Sequence, residues 1–494
     1  MTSKLTEPAV PAGADAPVAR RWWALAVIAI AQLMVVLDAT IVNIALPEAQ
    51  LELGISDADR QWVVSAYTLA FGGLLLLGGR IADYWGRRRA FVLGAIGFAV
   101  ASALGGLANN GEVLFAARAL QGAFGALLAP ASLALLTVMF TEARDRAKAF
   151  GVYGAIAGGG AAIGLVLGGV LTEYASWRWC LLVNIPVALL AIVGAIFLVP
   201  ESRAHGDTSY DVPGAVLATL GLASLVYGFT EASKDGWSSA TTIAFIAAGV
   251  VLLAIFVVVE MRTKNPLLPL RVVLDRNRGG AYLSSTLVGA GLLGAFLFIT
   301  FYFQVVLQYT PLEAGLATLP VTAGVLFSAG LASQLLPRVG AKWPMAIGML
   351  LGAAGMLWFT RIGVDTSYVT HVLPGQLLLG AGLGLAFVPL GSVALIGVGG
   401  HDAGVASAVV NASQQVGGSL GIALLNTIYA TAVASYLKSH PPSPVTQVEG
   451  LVHGYTTAFA WAAGLLLLGA IIVIVLLRVT KDDLATDPAT VAVG

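Results

Sequence analysis

Long apolar runs, separated by short stretches that hold most of the charged side chains, set the pattern along this chain. A helix needs about 20 mainly apolar residues to cross a membrane. Such runs fall near 22-46, 61-79, 90-108, 112-139, 149-172, 179-199, 212-230, 240-260, 280-307, 312-336, 343-360, 370-398, 403-434 and 456-477. The pattern predicts fourteen crossing helices. The run at 403-434 is unusually polar, with Asn411, Gln414, Gln415 and Asn426 inside it. No segment between runs is long enough for a core of its own; the longest connection expected is 435-455, around His440-Pro441-Pro442. Chemistry is therefore expected within or between helices.

Loop charge tests this count, because Lys and Arg are enriched in cytoplasmic loops. With the N-terminus inside, the cytoplasmic segments hold 20 of the 26 Lys and Arg residues. The outer segments hold Arg60, Arg178, Lys234, Arg361 and Lys438, and Arg118 lies within a run. Losing one run would scramble this bias. Both termini are thus expected in the cytoplasm and the chain in the inner (plasma) membrane. The first run is too long, and lacks the small-residue cleavage site, for a removable signal peptide. The first 20 residues, with Pro8, Pro11 and Pro17, and the end beyond Lys481 are expected to be disordered tails.

Composition agrees. Only 11% of the 494 residues are charged and 58% are hydrophobic, against roughly 25% charged in a soluble globular protein. Equal numbers of acidic and basic residues, 26 each, argue against nucleic-acid binding. The single cysteine, Cys180, excludes an intrachain disulfide. The five histidines (His205, His371, His401, His440, His453) sit in loops or at run ends without metal-ligand spacing, so no metal is expected. No GxxxxGK[ST] stretch is present, so neither ATP nor another cofactor is expected, and no polar cluster suggests an enzyme.

The chain also echoes itself. Gly340 and Lys342 follow Gly86 and Arg88 by 254 positions, and Pro389 follows Pro130 by 259. Gly160, Gly164 and Gly168 in the fifth run are matched by Gly417 and Gly421 in the thirteenth. Six helices would account for roughly 190 residues, so an offset near 255 implies two helices inserted between equivalent halves. The expected layout is a tail at 1-21, a six-helix bundle at 22-199, two inserted helices and a linker at 200-278, a second six-helix bundle at 279-478 and a tail at 479-494.

Several motifs make the pattern specific. The first run reads LDATIVNIALP from Leu37 to Pro47, and the loop after the second reads Gly79-Arg80-Ile81-Ala82-Asp83-Tyr84-Trp85-Gly86-Arg87-Arg88-Arg89. Arg118, Gln121 and Gly122 fall in the fourth run, and Trp177-Arg178-Trp179 with Asn184-Ile185-Pro186 lead into the sixth. With these motifs the sequence resembles the major facilitator superfamily, and within it the 14-helix drug:proton antiporter family. The resemblance covers roughly residues 22-478. It implies an all-α membrane protein with the major facilitator fold, fourteen helices arranged six, two, six. One departure stands out: the family's fifth-helix GPxxGG has Leu165 in place of proline, so a proline bend cannot be assumed.

Asp38 is the one carboxylate expected well inside a run. A charge at a helix centre costs about 2.5–3.5 kcal/mol on the insertion scale, and nothing nearby in sequence offsets it. It is either a proton carrier, with a pKa that burial raises, or a packing carboxylate bound by a neighbouring helix. Arg118 shares a face with Gly122 and Gly125. The resemblance implies a role in proton coupling, the alternative being an arginine that snorkels to the interface; Gln121 is expected to hydrogen-bond it. Gly79, Asp83, Gly86, Arg87 and Arg88 read as a cytoplasmic gate, since simple positive-inside anchoring explains the arginines but not the other three. Asn43, Gln121, Asn411 and Gln414 are candidates for a substrate cavity, although polar side chains in membrane helices also bond other helices. Gly160, Gly164 and Gly168 are expected to serve helix packing.

The function expected is proton-coupled export of hydrophobic, often cationic drugs or antibiotics by alternating access, the chain working as a monomer among membrane lipids. A metabolite symporter on the same scaffold is the first alternative. A membrane sensor without transport is the second, and it lacks the soluble output domain that sensors usually add.

Overall fold

The computed structural model describes residues 18–203, 211–264, 266–268, 270–398 and 403–479. The expected tails fall almost wholly outside these residues, as do His205 and His401. The described residues are helical and contain no strand. In chain order the helices are α1 (Val18–Leu53), α2 (Trp62–Trp85), α3 (Arg87–Gly106), α4 (Gly111–Met139), α5 (Ala143–Tyr174), α6 (Trp179–Leu182), α7 (Asn184–Leu198), α8 (Val212–Asp235) and α9 (Ala240–Arg262). They continue as α10 (Leu270–Val273), α11 (Arg276–Phe301), α12 (Pro311–Val339), α13 (Lys342–Phe359), α14 (Leu373–Leu395), α15 (Ala403–Ser439) and α16 (Pro444–Leu476). Among the described residues, twelve helical segments are long and apolar enough to cross a membrane. α5 and α13 occupy the places of the fifth and eleventh apolar runs.

Local chemistry sets the ends. Asn110 accepts from the Val113 amide at the start of α4. Thr310 and Glu313 form a reciprocal capping box at the start of α12, with Pro311 in its first turn. The Ser443 hydroxyl accepts from the Thr446 amide, followed by Pro444. This cap corrects one expectation. The connection 435-455 is helical except at 440–443, because α15 and α16 extend past the apolar runs that define them.

Packing repeats along the chain. α1 lies against α5, α2 and α3 against α4, and α3 against α7; α11 lies against α15, α12 and α13 against α14, and α13 against α16. α8 and α9 pair with each other, and α8 touches both α2 and α15. The exterior is apolar, with Leu190, Phe197, Val251, Phe327 and Val475 exposed. The interior carries the polar groups, with Asp38, Arg118, Gln121, Asn184 and Ser102 all buried. That inversion is what a lipid solvent demands.

Contact between the two groups of helices is well developed where α1 and α5 end and α2 and α12 begin. Gln304 Nε2 of the turn after α11 donates to the Ile44 carbonyl at 2.9 Å. Asn426 Nδ2 donates to the Asp57 carbonyl at 3.0 Å, and the Leu312 amide to Glu173 at 3.1 Å. Gly169 of α5 lies directly against Pro311 and Leu312, and Gly315 of α12 against the Leu165 carbonyl. The position where the family motif has proline thus lies on this seam.

Candidate functional site: a buried carboxylate–guanidinium network

Asp38 sits a little past the middle of α1 and is fully enclosed. Its carboxylate accepts from three donors. Arg118 Nη1 lies 2.5 Å from Oδ2, while Gln121 Nε2 and Asn184 Nδ2 lie 2.9 and 2.8 Å from Oδ1. Gln121 also accepts from Arg118 Nη1 at 2.9 Å and donates to Ser102 Oγ at 2.7 Å. Asn184 reaches the same hydroxyl at 3.3 Å. Arg118 Nε donates to the Val63 carbonyl at 2.9 Å, and its guanidinium lies 4.5 Å from the Tyr67 ring centroid. One ion pair therefore joins α1, α2, α3, α4 and α7.

Spacing explains part of this. Arg118 and Gln121 are three residues apart, so both project from one face of α4. The desolvation cost of two buried charges is high, and it is offset only where geometry and added hydrogen bonds satisfy the remaining lone pairs. Here three donors serve the carboxylate, and an amide oxygen, a backbone carbonyl and an aromatic face serve the guanidinium. Asp38, Arg118 and Gln121 stand out in the sequence, whereas the bonds of Asn184, at the head of the Asn184-Ile185-Pro186 stretch, and of Ser102 do not.

The remaining candidates lie elsewhere. Arg87 donates from Nε and Nη2 to Asp83 Oδ1 at 3.0 and 2.8 Å. Gly86 has φ +132°, which a side chain rarely adopts, and a Cβ there would meet Glu201 at 2.9 Å. Glu201, not anticipated, accepts from the Arg88 amide at 3.1 Å and lies 3.7 Å from Arg89 Nε. Gly79 faces Pro130 of α4. These contacts tie the loop to its own bundle and to the start of the linker at Glu201, and Arg80 reaches further along that linker, donating to the Pro266 carbonyl at 3.2 Å.

Gly160, Gly164 and Gly168 face α1, against Val36, Thr40 and Ile41. At Gly164 any Cβ would overlap the Thr40 hydroxyl. Asn43 is buried and donates to Ala39 of its own helix, while Asn411 is exposed and donates to Ser407. Gln414 is half-buried, its carbonyl against Gly289 of α11. The four cavity candidates are therefore not gathered at one point, and Gln121 belongs to the Asp38 network. Arg60, placed by its sequence in an outer loop, is only 2% exposed. Its guanidinium lies over the rings of Phe301 (4.1 Å) and Tyr429 (4.8 Å) across the seam.

Known proteins resemble this chain closely. The family model described as Major Facilitator Superfamily matches residues 28–422. The chain is 51% identical over 489 residues to the puromycin resistance protein pur8 of Streptomyces alboniger, covering 98% of this chain and 97% of that one. It is 40% identical to the cephamycin export protein CmcT of Amycolatopsis lactamdurans, covering 82% and 84%, and 36% identical to a lincomycin resistance protein of Streptomyces lincolnensis, covering 83% and 84%. Among solved structures, a bacterial homologue of the human lysosomal transporter Spinster superposes with a TM-score of 0.67 at 13% identity, covering 95% and 99%, a likeness of fold alone. By its helices, its motifs and these matches, this chain belongs to the Major Facilitator Superfamily.

Proposed function

We propose that this protein exports antibiotics or similar drugs from the cytoplasm in exchange for protons, using fourteen crossing helices in two six-helix halves with α8 and α9 between them. The N- and C-termini are cytoplasmic in this reading, the membrane is the plasma membrane and the working unit is a monomer. The resistance and export proteins similar to the chain support the direction of transport. The observation that carries the coupling is the Asp38 carboxylate, wholly enclosed and paired with Arg118.

Asp38 has no open face in this structure, so a drug cannot touch it here. Coupling is then indirect. A proton on Asp38 cancels the charge that holds Arg118, and the link between α1 and α4 weakens at the moment the proton arrives. The conformer with a tight outer seam is the deprotonated one, open to the cytoplasm and ready for drug. Proton uptake belongs to the opposite conformer, in which a path from outside reaches Asp38. One proton moving inward across 100 mV releases about 2.3 kcal/mol, sufficient for more than a tenfold drug gradient.

Puromycin is the first drug to test, given the 51% identical relative. Cells producing the protein should survive higher puromycin and hold less of it than cells without. Equal accumulation of puromycin, a cephamycin and lincomycin in cells with and without the protein would remove the export reading.

A further inference from the structure

Nothing in the family motifs accounts for α8, yet one stretch of it is bonded to both halves of the molecule. Thr230 Oγ1 accepts from Gln61 Nε2, at the start of α2, at 2.6 Å. One turn on, Lys234 Nζ lies 2.8 Å from Asp59 Oδ1 in the α1–α2 connection. On the other side, Thr427 Oγ1 of α15 donates to the Phe229 carbonyl at 2.7 Å. Gln61, Thr230 and Thr427 are each at most 1% exposed. All of these bonds lie at the end where Arg60 and Asn426 bridge the halves.

We propose that α8 is a strap that holds the outer seam shut, fastened to the first half through Gln61 and Asp59 and to the second through Thr427. Opening that seam separates α2 from α15, and α8 cannot follow both. Two side-chain bonds, one of them an ion pair, tie it to the first half. Among these bonds, one hydroxyl ties it to the second, and that hydroxyl also reaches the Ala423 carbonyl of its own helix at 2.9 Å. The strap therefore lets go at Thr427, and α8 travels with the first half, α9 beside it in lipid. This rests on the alternating-access reading, but its test measures seam opening without transport.

The assay uses one cysteine on the seam. Cys180, the native cysteine, is buried and is replaced by serine. Ser65 is fully buried, its hydroxyl has no partner among the described residues, and its carbonyl accepts from Ser419 of α15. Ser65→Cys therefore reports opening at little structural cost. A membrane-impermeant maleimide is added from outside to the full-length protein in cells. A typical hydrogen bond contributes about 1 kcal/mol, equivalent to about a fivefold change in the open fraction. Thr427→Val is expected to label about five times faster than the parent, and Thr427→Ser, which keeps the hydroxyl, at the parent rate. Thr431→Val, which removes a hydroxyl bonded only within α15, should also leave the rate unchanged.

If Thr427→Val fails to fold, Thr427→Ala decides by the same reading, and Lys234→Ala, whose pair with Asp59 stays intact when α8 travels with the first half, should label at the parent rate. Labelling of folded Thr427→Val or Thr427→Ala at the parent rate, or faster labelling of Lys234→Ala, overturns the strap. Parent-rate labelling in a protein that still exports drug sinks the strap alone. The expected order of rates in a protein that exports nothing sinks the export reading and keeps the strap.

Discussion

Cutting the Asp38–Arg118 pair from either side should expose a large coupling energy. Asp38→Asn keeps the shape of the side chain but leaves the guanidinium buried without its counter-charge, with its new amide nitrogen facing either the Arg118 donor or those of Gln121 and Asn184. Arg118→Met leaves the carboxylate enclosed without its cation. Removing one partner of a buried pair costs about 3–5 kcal/mol, because the other charge stays in place uncompensated. The double variant has no orphan charge. Its cost should be close to that of one single variant instead of their sum, giving a coupling energy of about 3 kcal/mol or more. The assay is reversible denaturant unfolding in mixed micelles, followed by tryptophan fluorescence, for the four proteins of the cycle. Coupling below about 0.5 kcal/mol, with the singles additive, would mean that the ion pair does not hold these five helices together.

The other expectations follow from close contacts. Gly164→Val would drive a branched side chain into Thr40; overpacking of this kind costs about 1–3 kcal/mol, which a lower melting temperature in detergent should register, and Thr40→Ala in the same chain should recover part of it. Arg60→Gln removes a cation that lies over two aromatic rings across the seam. A desolvated cation–π contact contributes about 2 kcal/mol, so the outer seam should label more than tenfold faster, and an unchanged rate would exclude Arg60 from the closure. Glu201→Gln should loosen the α2–α3 loop, seen as faster amide exchange at Arg88 with little change in melting temperature.

Much of the fold could be read from the chain because a membrane leaves few choices: apolar runs must be helices, and charge marks their ends. Asp38 was legible for the same reason, as an ionisable group where none is cheap. Its partners were only half legible. Arg118 and Gln121 share one helix, so their spacing connects them. Asn184 meets Asp38 from 146 positions away in sequence, and Ser102, 64 positions away, joins through Gln121 and Asn184; no local periodicity encodes such encounters. Arg60 misled for a physical reason. Loop position marks an arginine as solvated, whereas two aromatic rings from the second half bury this one. The helices at 435–439 and 444–455 were missed because their polar residues end the apolar run before they end the helix.

Reconstituted liposomes give the most direct test of proton exchange through Asp38. Equal amounts of folded wild-type protein and Asp38→Asn would be given an imposed pH gradient with labelled puromycin, and separately a puromycin gradient with no proton gradient. The account predicts that the wild type concentrates drug against its gradient on the acidic side, whereas Asp38→Asn only exchanges drug down its gradient. Uphill accumulation by Asp38→Asn equal to the wild type would contradict it.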